Sequence, residues 1–483
     1  MAVSCGVLIA EHARPGAAGA LAQASNAVFR AGAAARNITP PLGTSINGYF
    51  NDRKAEHIHD ELHARCLVLD DGRTRLALVV CDSCMIPREV LDAAKRLVRE
   101  RTGLVTENIL VSATHTHTAP ASAGVFQTDP DAAYQQFLAS RIADAVQCAI
   151  QNLEPARIGW GVGRVPDQVF NRRWRMKPGT ITPNPFGQTN DLVRMNPPVG
   201  SADLIAPAGP TDPEVGVISV QSRTGRPLAL LANYALHYVG TSRGTDVSAD
   251  YYGAFCDRIQ ALLGADRQDP PFVALLANGA SGDINNINFR EKAPPRGPYE
   301  QIQRVAQIVA AEVHRVCQDL TYHDAVPLGV EQTELRLGVR RPDAAEVARA
   351  EAILAPTAGR ALRGPEEIYA RETLLIRDYP AEVPLLLQCM RIGDLGLAAV
   401  PCEVFVESGL ALKANSPFRP MLVIGLANGY NGYLPTPEQH RLGGYETWRA
   451  RSSYLETGAS PKIITTLLDQ LTRLHDTRPP RDL

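Results

Sequence analysis

The sequence predicts an α/β fold in which a large mixed β-sheet is flanked by helices and the active site lies at the carboxyl ends of the strands. Short apolar runs rich in β-branched residues indicate buried strands. Amphipathic stretches between those runs indicate helices, and this alternation is typical of layered α/β domains. Polar residues that can bind metals or move protons follow several of the runs. Ligands of open α/β sheets collect at that end of the strands.

The first half of the chain supplies the earliest elements. The stretch "ITPPLGTSINGYF" predicts a strand and a turn near residue 40, and "ARCLVLDDGRTRLALVVCD" predicts a hairpin. The segment "PREVLDAAKRLVRERTG" begins with proline, ends at glycine and keeps its apolar residues on one face, so it predicts a helix. The apolar run "NILVSA" then predicts a buried strand.

Later segments continue the pattern. We expect strands in "PLALLANYALH", "PFVALLANGASGD", "LGLAAVPCE" and "MLVIGLANGY". Helices are expected over 299–319, 341–356 and 365–376 and in "PKIITTLLDQLTRLH". Residues 171–213 are rich in Pro, Gly and Asn, which predicts a long loop of the kind that forms lids or binding surfaces. We divide the chain into a flexible leader, 1–30, and one domain, 31–483.

Composition excludes several function classes. The chain has 483 residues, a net charge of -2 and 45% hydrophobic residues, which is ordinary for a globular protein and gives no basic field for nucleic acid. No stretch reaches the roughly 18 apolar residues that stable membrane insertion needs. Nine scattered cysteines indicate reduced thiols. We expect a cytoplasmic protein, with export as the alternative if the leader is a weak signal peptide. The sequence leaves homo-oligomerisation open.

Residues with metal-binding or proton-transfer chemistry follow five of the predicted strands. They are His115 and His117 in "SATHTHTAPAS", His237, Asp283 with Asn285, Glu403 and Tyr433. In an extended segment His115 and His117 point to the same side. Two histidines and a carboxylate form a zinc set that leaves a position open for water. The same residues could also be polar side chains satisfied within a loop or the core. Asp82, which ends another strand, either orients a ligand histidine or caps the next helix.

Seven motifs in order and spacing resemble one family. They are "ITPPLGTSINGYF", "HIHDELHARCLVLDDG", "VSATHTHTAPAS", "NYALHYVGT" with "SADYYGAF", "NGASGDINN", "VPCEVF" and "LANGYNGYLPTPEQHRLGGYE". From about Ala31 to the C-terminus the chain is similar to the N-terminal catalytic domain of the neutral/alkaline non-lysosomal ceramidases. The resemblance therefore implies a zinc hydrolase domain over residues 31–483.

The resemblance also implies the roles of individual residues. One Zn²⁺ per chain would be held by His115, His237, Glu403 and Tyr433. His117 would contact the polar head of the substrate, and Tyr445 would assist at the reacting carbonyl. Arg172 in "FNRRW" matches a substrate-binding arginine of the family. A Tyr433 phenolate and Glu403 would balance the dication, and Tyr445 could donate to the oxyanion.

The sequence departs from the family at two places. Asn285 in "GDINN" occupies the position of a serine in the family's motif, and the immunoglobulin-like C-terminal domain of the large ceramidases is not matched. We therefore predict a zinc-dependent amidohydrolase in which zinc-bound hydroxide attacks the linear amide bond of a small N-acyl compound, distinct from a true ceramidase. Asn285 is expected to bind substrate.

Several alternatives stay open at this point. His117 and Asp283 are both candidates for the general base. An esterase or lactonase could use the same zinc site, because the metal does not itself select nitrogen over oxygen as the leaving atom. A non-catalytic ligand-binding homologue is the alternative from another class. The acyl and amine parts of the substrate are not specified by the sequence.

Overall fold

The computed structural model describes residues 1–2, 28–240, 243–357 and 359–477, so most of the predicted leader lies outside the described residues. The strands are β1 Arg30–Asn37, β2 Ser45–Ile46, β3 Arg53–Lys54, β4 His57–Ile58, β5 His63–Asp70, β6 Arg75–Cys81, β7 Ile109–Ala113, β8 Glu154–Arg164, β9 Phe170–Asn171, β10 Arg173–Met176, β11 Val193–Met195, β12 Leu204–Pro207, β13 Glu214–Ser222, β14 Pro227–Tyr234, β15 Asp246–Val247, β16 Val273–Asn278, β17 Ile284–Asn285, β18 Leu328–Gly338, β19 Glu382–Ile392, β20 Leu395–Ala399, β21 Glu403–Val404, β22 Met421–Ile424 and β23 Tyr433–Leu434. The α-helices are α1 Arg88–Thr102, α2 Ala132–Gln151, α3 Asp250–Leu262, α4 Glu300–Gln318, α5 Ala344–Leu354, α6 Gly364–Arg377, α7 Val406–Asn415, α8 Pro437–Leu442 and α9 Ala459–Asp476.

An eight-stranded mixed sheet forms the centre of the fold. Its strand order is β16-β14-β13-β8-β1-β5-β6-β7. The pairs at its two edges, β14 with β16 and β6 with β7, are parallel, and the inner pairs are antiparallel. The predicted α/β class with a large mixed sheet is therefore confirmed.

The two faces of this sheet pack against different partners. In β5, Cys66 and Val68 join a core with helices α1 and α2, whereas Leu67 and Leu69 join a core with a second sheet. Helices α3 and α4 cover the same face as α1 and α2 at the other end of the sheet. The expected flanking helices therefore cover one face directly, and the other face is covered by strands.

The second sheet has four strands in the order β18-β19-β20-β22. Its outer face packs against α7 and α9. The two sheets approach closely at Gly216 of β13, where an added Cβ would lie 2.0 Å from Cδ2 of Leu422 in β22. A larger residue at this position would push the sheets apart. The result is a helix–sheet–sheet–helix arrangement with three packed interfaces between its four layers.

The chain that leaves β22 joins the carboxyl ends of strands in the central sheet. Gly425 donates its N–H to the carbonyl of Asn278 at the end of β16, at 3.0 Å. Asn428 donates to the carbonyl of Val111 in β7, at 2.8 Å. The ends of both sheets therefore meet on one side of the molecule, where most of the predicted site residues lie.

Most predicted elements are confirmed, and two are wrong in part. The helices over 299–319, 341–356 and 365–376 and the C-terminal helix are present as α4, α5, α6 and α9. The segment 38–50 contains only the two-residue strand β2, because its prolines interrupt pairing. The predicted loop 171–213 contains the small sheet β11-β10-β12, whose Trp174 packs on Phe289. Within the described residues no helix combines the length and the apolar character that crossing a membrane requires.

Candidate active site

Two histidines meet at the carboxyl ends of β7 and β14. The strand β7 ends at Ala113, and His115 adopts a left-handed backbone with φ of 77°. Its Nδ1 lies 2.7 Å from the carbonyl of Cys84, and Nδ1 of His237 lies 3.0 Å from the carbonyl of Ser281. A carbonyl only accepts, so both imidazoles carry their proton on Nδ1. Their Nε2 atoms, 3.0 Å apart, therefore face each other with lone pairs.

Glu403 completes this group from the second sheet's side. Its Oε2 lies 3.1 Å from Nε2 of His115 and 3.8 Å from Nε2 of His237. Among the described residues this buried oxygen makes no hydrogen bond. Its other oxygen, Oε1, accepts from the hydroxyl of Tyr430 at 3.0 Å. We call His115, His237 and Glu403 the three-ligand group.

The three-ligand group fits a divalent cation. Two imidazole nitrogens and a carboxylate oxygen converge here, and Oε2 of Glu403 is a buried acceptor without a hydrogen bond among the described residues, which is costly. Burial alone would lower the pKa of His115, but the neighbouring Glu403 carboxylate more than offsets this, and the pKa is raised to about 10. The position therefore attracts positive charge, and a metal ion would compete there with a proton.

An overlapping set of possible ligands, Cys84, His115 and His117, suits a metal less well. The Cys84 sulfur lies 3.7 Å from Nδ1 of His115, but that nitrogen already faces the Cys84 carbonyl. Burial raises the pKa of the Cys84 thiol, which disfavours the thiolate that a metal needs. The three-ligand group is therefore the better candidate.

Tyr433 lies beside Glu403, because β21 and β23 pair in parallel with these two residues in register. Its hydroxyl accepts from Nη2 of Arg172 at 3.1 Å, and Nη1 of Arg172 lies 3.2 Å from Nε2 of His237. Burial, followed by the Glu403 carboxylate, raises the pKa of Tyr433 well above its usual range, and Arg172 only partly offsets this. The phenolate expected from the sequence would therefore need a bound cation to stabilise it.

The Arg172 guanidinium is held in place by a buried carboxylate. Nε of Arg172 donates to Oε1 of Glu446 at 2.8 Å, and Nη1 of Arg173 donates to Oε2 at 2.6 Å. All three side chains are buried. One carboxylate thus serves two adjacent arginines, of which Arg172 contacts the site.

His117 lies close to the group but in a different environment. Its Nε2 is 3.3 Å from Nε2 of His115, and its ring stacks on Tyr238 with centroids 3.7 Å apart. A Cβ on Gly48, which has φ of 105°, would lie 2.5 Å from the His117 ring, so only glycine fits there. Burial, then His115 and Arg172, lower the pKa of His117 well below its usual value. His117 is therefore a neutral imidazole.

Tyr445 lies next to Tyr433. The two rings are 5.9 Å apart, and Tyr445 also contacts Phe50 and Trp448, each at 6.0 Å. Burial and the nearby Glu403 carboxylate raise the pKa of Tyr445 above its usual value. Its hydroxyl consequently stays protonated, as a donor must.

An open pocket of about 480 Å³ leads to these residues. His237, Arg172 and Tyr238 line it on the inside, and Asn285 lies on its wall. Its volume is within the range of small-molecule sites.

Comparison with known proteins assigns the family. Residues 29–291, more than half of the chain, match the family described as neutral/alkaline non-lysosomal ceramidase, N-terminal. The chain belongs to this family. This confirms the resemblance expected from the sequence, and the family is one of hydrolases.

Individual relatives agree with this assignment. The neutral ceramidase of Mycobacterium tuberculosis is 24% identical over 468 residues, which covers 82% of this chain and 69% of that protein. Neutral ceramidase B of Dictyostelium discoideum is 25% identical over 260 residues, covering 50% of this chain and 33% of that protein. The neutral ceramidase structure from Pseudomonas aeruginosa is 19% identical, with a TM-score of 0.69 over 94% of this chain and 75% of that chain. At that identity the structural similarity shows a shared fold and nothing more.

Within this ceramidase-family fold, the carboxylates of Asp283 and Asp82 are both engaged in contacts within the protein. Both oxygens of Asp283 accept hydrogen bonds, from the N–H of Val406 at 2.9 Å and from Asn171 Nδ2 at 2.7 Å. Val406 begins α7, so Asp283 satisfies a helix N-terminus. Asp82 accepts from the His63 N–H and pairs with Arg65, so it neither orients a ligand histidine nor caps a helix.

Sequence reasoning missed three residues that shape the site. Tyr430 bonds Glu403, Glu446 holds Arg172, and Tyr238 stacks on His117. The two adjacent arginines of "FNRRW" could have indicated that a buried acid lies near them, because buried cations require an acidic partner. Nothing in the sequence indicates which acid, since the pairing crosses 274 positions.

Proposed function

We propose that this ceramidase-family protein is a zinc-dependent hydrolase that cleaves the amide bond of a small N-acyl compound. The observation that carries the proposal is the convergence of two imidazole lone pairs and an unpaired carboxylate oxygen in the three-ligand group. Nitrogen and carboxylate ligands in this combination are typical of catalytic zinc sites. Tyr433 beside Glu403 would be the fourth ligand, and one ion per chain is expected.

A zinc ion bound there would lower the pKa of a bound water to about 7 and polarise a carbonyl. The chain's own residues would do the rest. Tyr445, whose ring lies 5.9 Å from that of Tyr433 and whose hydroxyl stays protonated, would donate to the negative charge that develops on the substrate's carbonyl oxygen. Arg172, fixed by Glu446, would orient the substrate beside His237.

His117 is the better of the two candidate general bases. It is adjacent to the three-ligand group, and its lowered pKa leaves it unprotonated, as a base must be before it acts. Burial raises the pKa of Asp283 to about 7, but both its oxygens are occupied by Val406 and Asn171. A base already committed to two hydrogen bonds would leave a helix terminus unsatisfied when it moved.

We further propose that ceramide is not the best substrate. The pocket wall carries several amide and charged side chains, with Asn285 among them. The lining also has apolar residues such as Val239 and Ile287, but its amide and charged side chains offer a small polar amide hydrogen-bonding partners that two long alkyl chains cannot use. A comparison of kcat/KM for a long-chain ceramide and for short N-acyl amides tests this. A higher value for ceramide would contradict it.

Turnover of a panel of N-acyl amides and matched esters tests the central proposal. We expect amide hydrolysis that a chelator abolishes and Zn²⁺ restores, with metal analysis giving close to one zinc per chain. His237→Ala should lose both metal and activity, whereas His314→Ala, on α4 outside the group, should keep both. Preference for the esters would identify an esterase, and metal binding without turnover of either class would identify a binding protein. Zinc content unchanged in both His237→Ala and Glu403→Ala would refute the site.

A further inference from the structure

The pocket beside His237 offers hydrogen-bond donors with few acceptors. The backbone N–H of Ile287 donates to Oδ1 of Asn285 at 3.0 Å, so the amide of Asn285 has a fixed orientation. Its Nδ2 therefore donates to Oδ1 of Asn196, at 2.7 Å. Oδ1 of Asn196 accepts this hydrogen bond, and Nδ2 of Asn196 has no partner among the described residues. The Asn196 amino group can therefore donate to a ligand.

Asn288 repeats this arrangement on the same wall. Its Oδ1 accepts from the backbone N–H of Arg290 at 3.1 Å, which again leaves the amino group without a partner among the described residues. Apart from His237 of the three-ligand group and the Tyr238 hydroxyl, which can also donate, the side-chain acceptors without a partner are fewer: the exposed carboxylate of Glu291 and the buried Oε1 of Gln301. The wall is consequently best matched by a group that accepts several hydrogen bonds.

Cationic side chains add to this preference. Lys292 and Arg296 line the pocket and are exposed, and neither makes an ion pair within the described part of the chain. Glu291 is the one acidic residue of the lining. The whole chain has a net charge of -2, so this local excess of positive charge comes from placement rather than composition. Hydrogen bonds to a charged acceptor are stronger than those to a neutral one.

We propose that the substrate end bound in this pocket carries an oxyanion, with a carboxylate as the best match. The substrates would then be N-acyl amino acids or similar anionic amides. This inference rests on the proposed amide hydrolysis, because it assigns the group that lies next to the cleaved bond. A neutral polyhydroxylated group would use the same donors but would gain nothing from Lys292 and Arg296.

Matched substrate pairs test the inference. One pair is N-hexanoylglycine and N-hexanoylglycinamide, which differ in the charge of the amine part. The other is N-propylsuccinamate and its primary amide, which differ in the charge of the acyl part. We expect the anionic member of at least one pair to have a kcat/KM about tenfold higher, mainly through KM, as one charged hydrogen bond allows.

Charge removal at the pocket provides the second arm. In the double variant Lys292→Gln/Arg296→Gln the preference for the anionic member should fall about fivefold or more, as expected when the charged partner is removed. Arg96→Gln removes an exposed charge on α1 and should leave the preference unchanged. Thermal unfolding checks that the variants fold, which exposed substitutions rarely prevent.

The outcomes separate this inference from the proposed function. Amide hydrolysis with equal or better use of the neutral member in both pairs overturns the anionic substrate and leaves the hydrolase standing. A preference that persists in the double variant also overturns the assigned pocket. Absence of turnover for every amide, neutral or anionic, refutes the proposed function itself.

Discussion

Replacement of Tyr430 by phenylalanine should weaken metal binding without removing a ligand. The Tyr430 hydroxyl donates to Oε1 of Glu403 at 3.0 Å, and this bond leaves Oε2 directed at His115 and His237. Both histidines are oriented by backbone carbonyls, which mutation cannot remove. The carboxylate is oriented by a side chain, so Tyr430 is the position at which the support of a ligand can be tested separately.

The size of the effect follows from two independent estimates. A hydrogen bond to a charged group contributes about 1.5–3 kcal/mol. Loss of a residue that orients a metal ligand typically reduces affinity by about 10–100-fold, which corresponds to about 1.4–2.7 kcal/mol. The two ranges overlap, so we expect the Kd for Zn²⁺ to rise by about 10–100-fold in Tyr430→Phe.

Competition with a fluorescent chelator measures this Kd on the folded protein. Tyr454→Phe is the matched control, because Tyr454 lines the same cavity of about 440 Å³ and its hydroxyl bonds Asn431 at 2.7 Å, away from Glu403. The control should lose stability but keep the Kd. A Kd for Tyr430→Phe equal to that of the wild type, with the fold intact by circular dichroism, would refute the reasoning.

Four further changes have distinct expected results. Tyr433→Phe should weaken zinc binding as well as rate, measured by metal analysis and kinetics. Tyr445→Phe should keep its zinc and lose about 10²–10³ in kcat with little change in KM; near wild-type kcat would contradict its role. Glu446→Ala leaves two buried arginines without their acid and should lower the free energy of unfolding by about 3–5 kcal/mol in urea titrations. Burial lowers the pKa of Lys95 to about 8, so its ammonium destabilises the fold below that pH and ceases to do so above about 10.5. Lys95→Met removes this penalty but also the hydrogen bond from Lys95 Nζ to Oδ1 of Asn428 at 2.9 Å, so it should raise the free energy of unfolding by only about 1–2 kcal/mol at pH 7. The gain should shrink towards pH 10, and a gain that does not change with pH would show that the charge is not responsible.

The local sequence pattern was sufficient to predict an element of secondary structure where its apolar residues have a clear period and its ends are marked. Helix α1, with proline before it and glycine after it, is an example. Strand β1 is the opposite case: its sequence "RAGAAARN" has high helix propensity, yet it lies at the centre of the sheet. An added Cβ on Gly32 would lie 2.2 Å from the carbonyl of Ala149 in α2, so close packing of this helix requires small residues there. Tertiary packing of this kind cannot be read from the segment itself.

The site shows the same division. His115, His237, Glu403 and Tyr433 could be proposed because each follows an apolar strand, and the structure brings them together. His115 and His117 meet for another reason than strand alternation, since the strand has ended and His115 has turned into a left-handed conformation. The roles of these residues, the cytoplasmic location and the division at residue 30 stay predictions.

The three-ligand group also links the two sheets. His115 and His237 leave strands of the central sheet, 122 positions apart, whereas Glu403 follows β20 of the second sheet. A cation held by all three would act as a further cross-link between layers that are joined at this end by apolar contacts and by backbone hydrogen bonds such as that from Gly425 to Asn278. Its binding free energy adds to the stability of the folded chain, about 4 kcal/mol when free metal is a thousandfold above Kd. Chelation should therefore loosen the seam between the sheets first, and backbone amides near residues 425–428 should exchange with solvent before those at the distant end of the same strands.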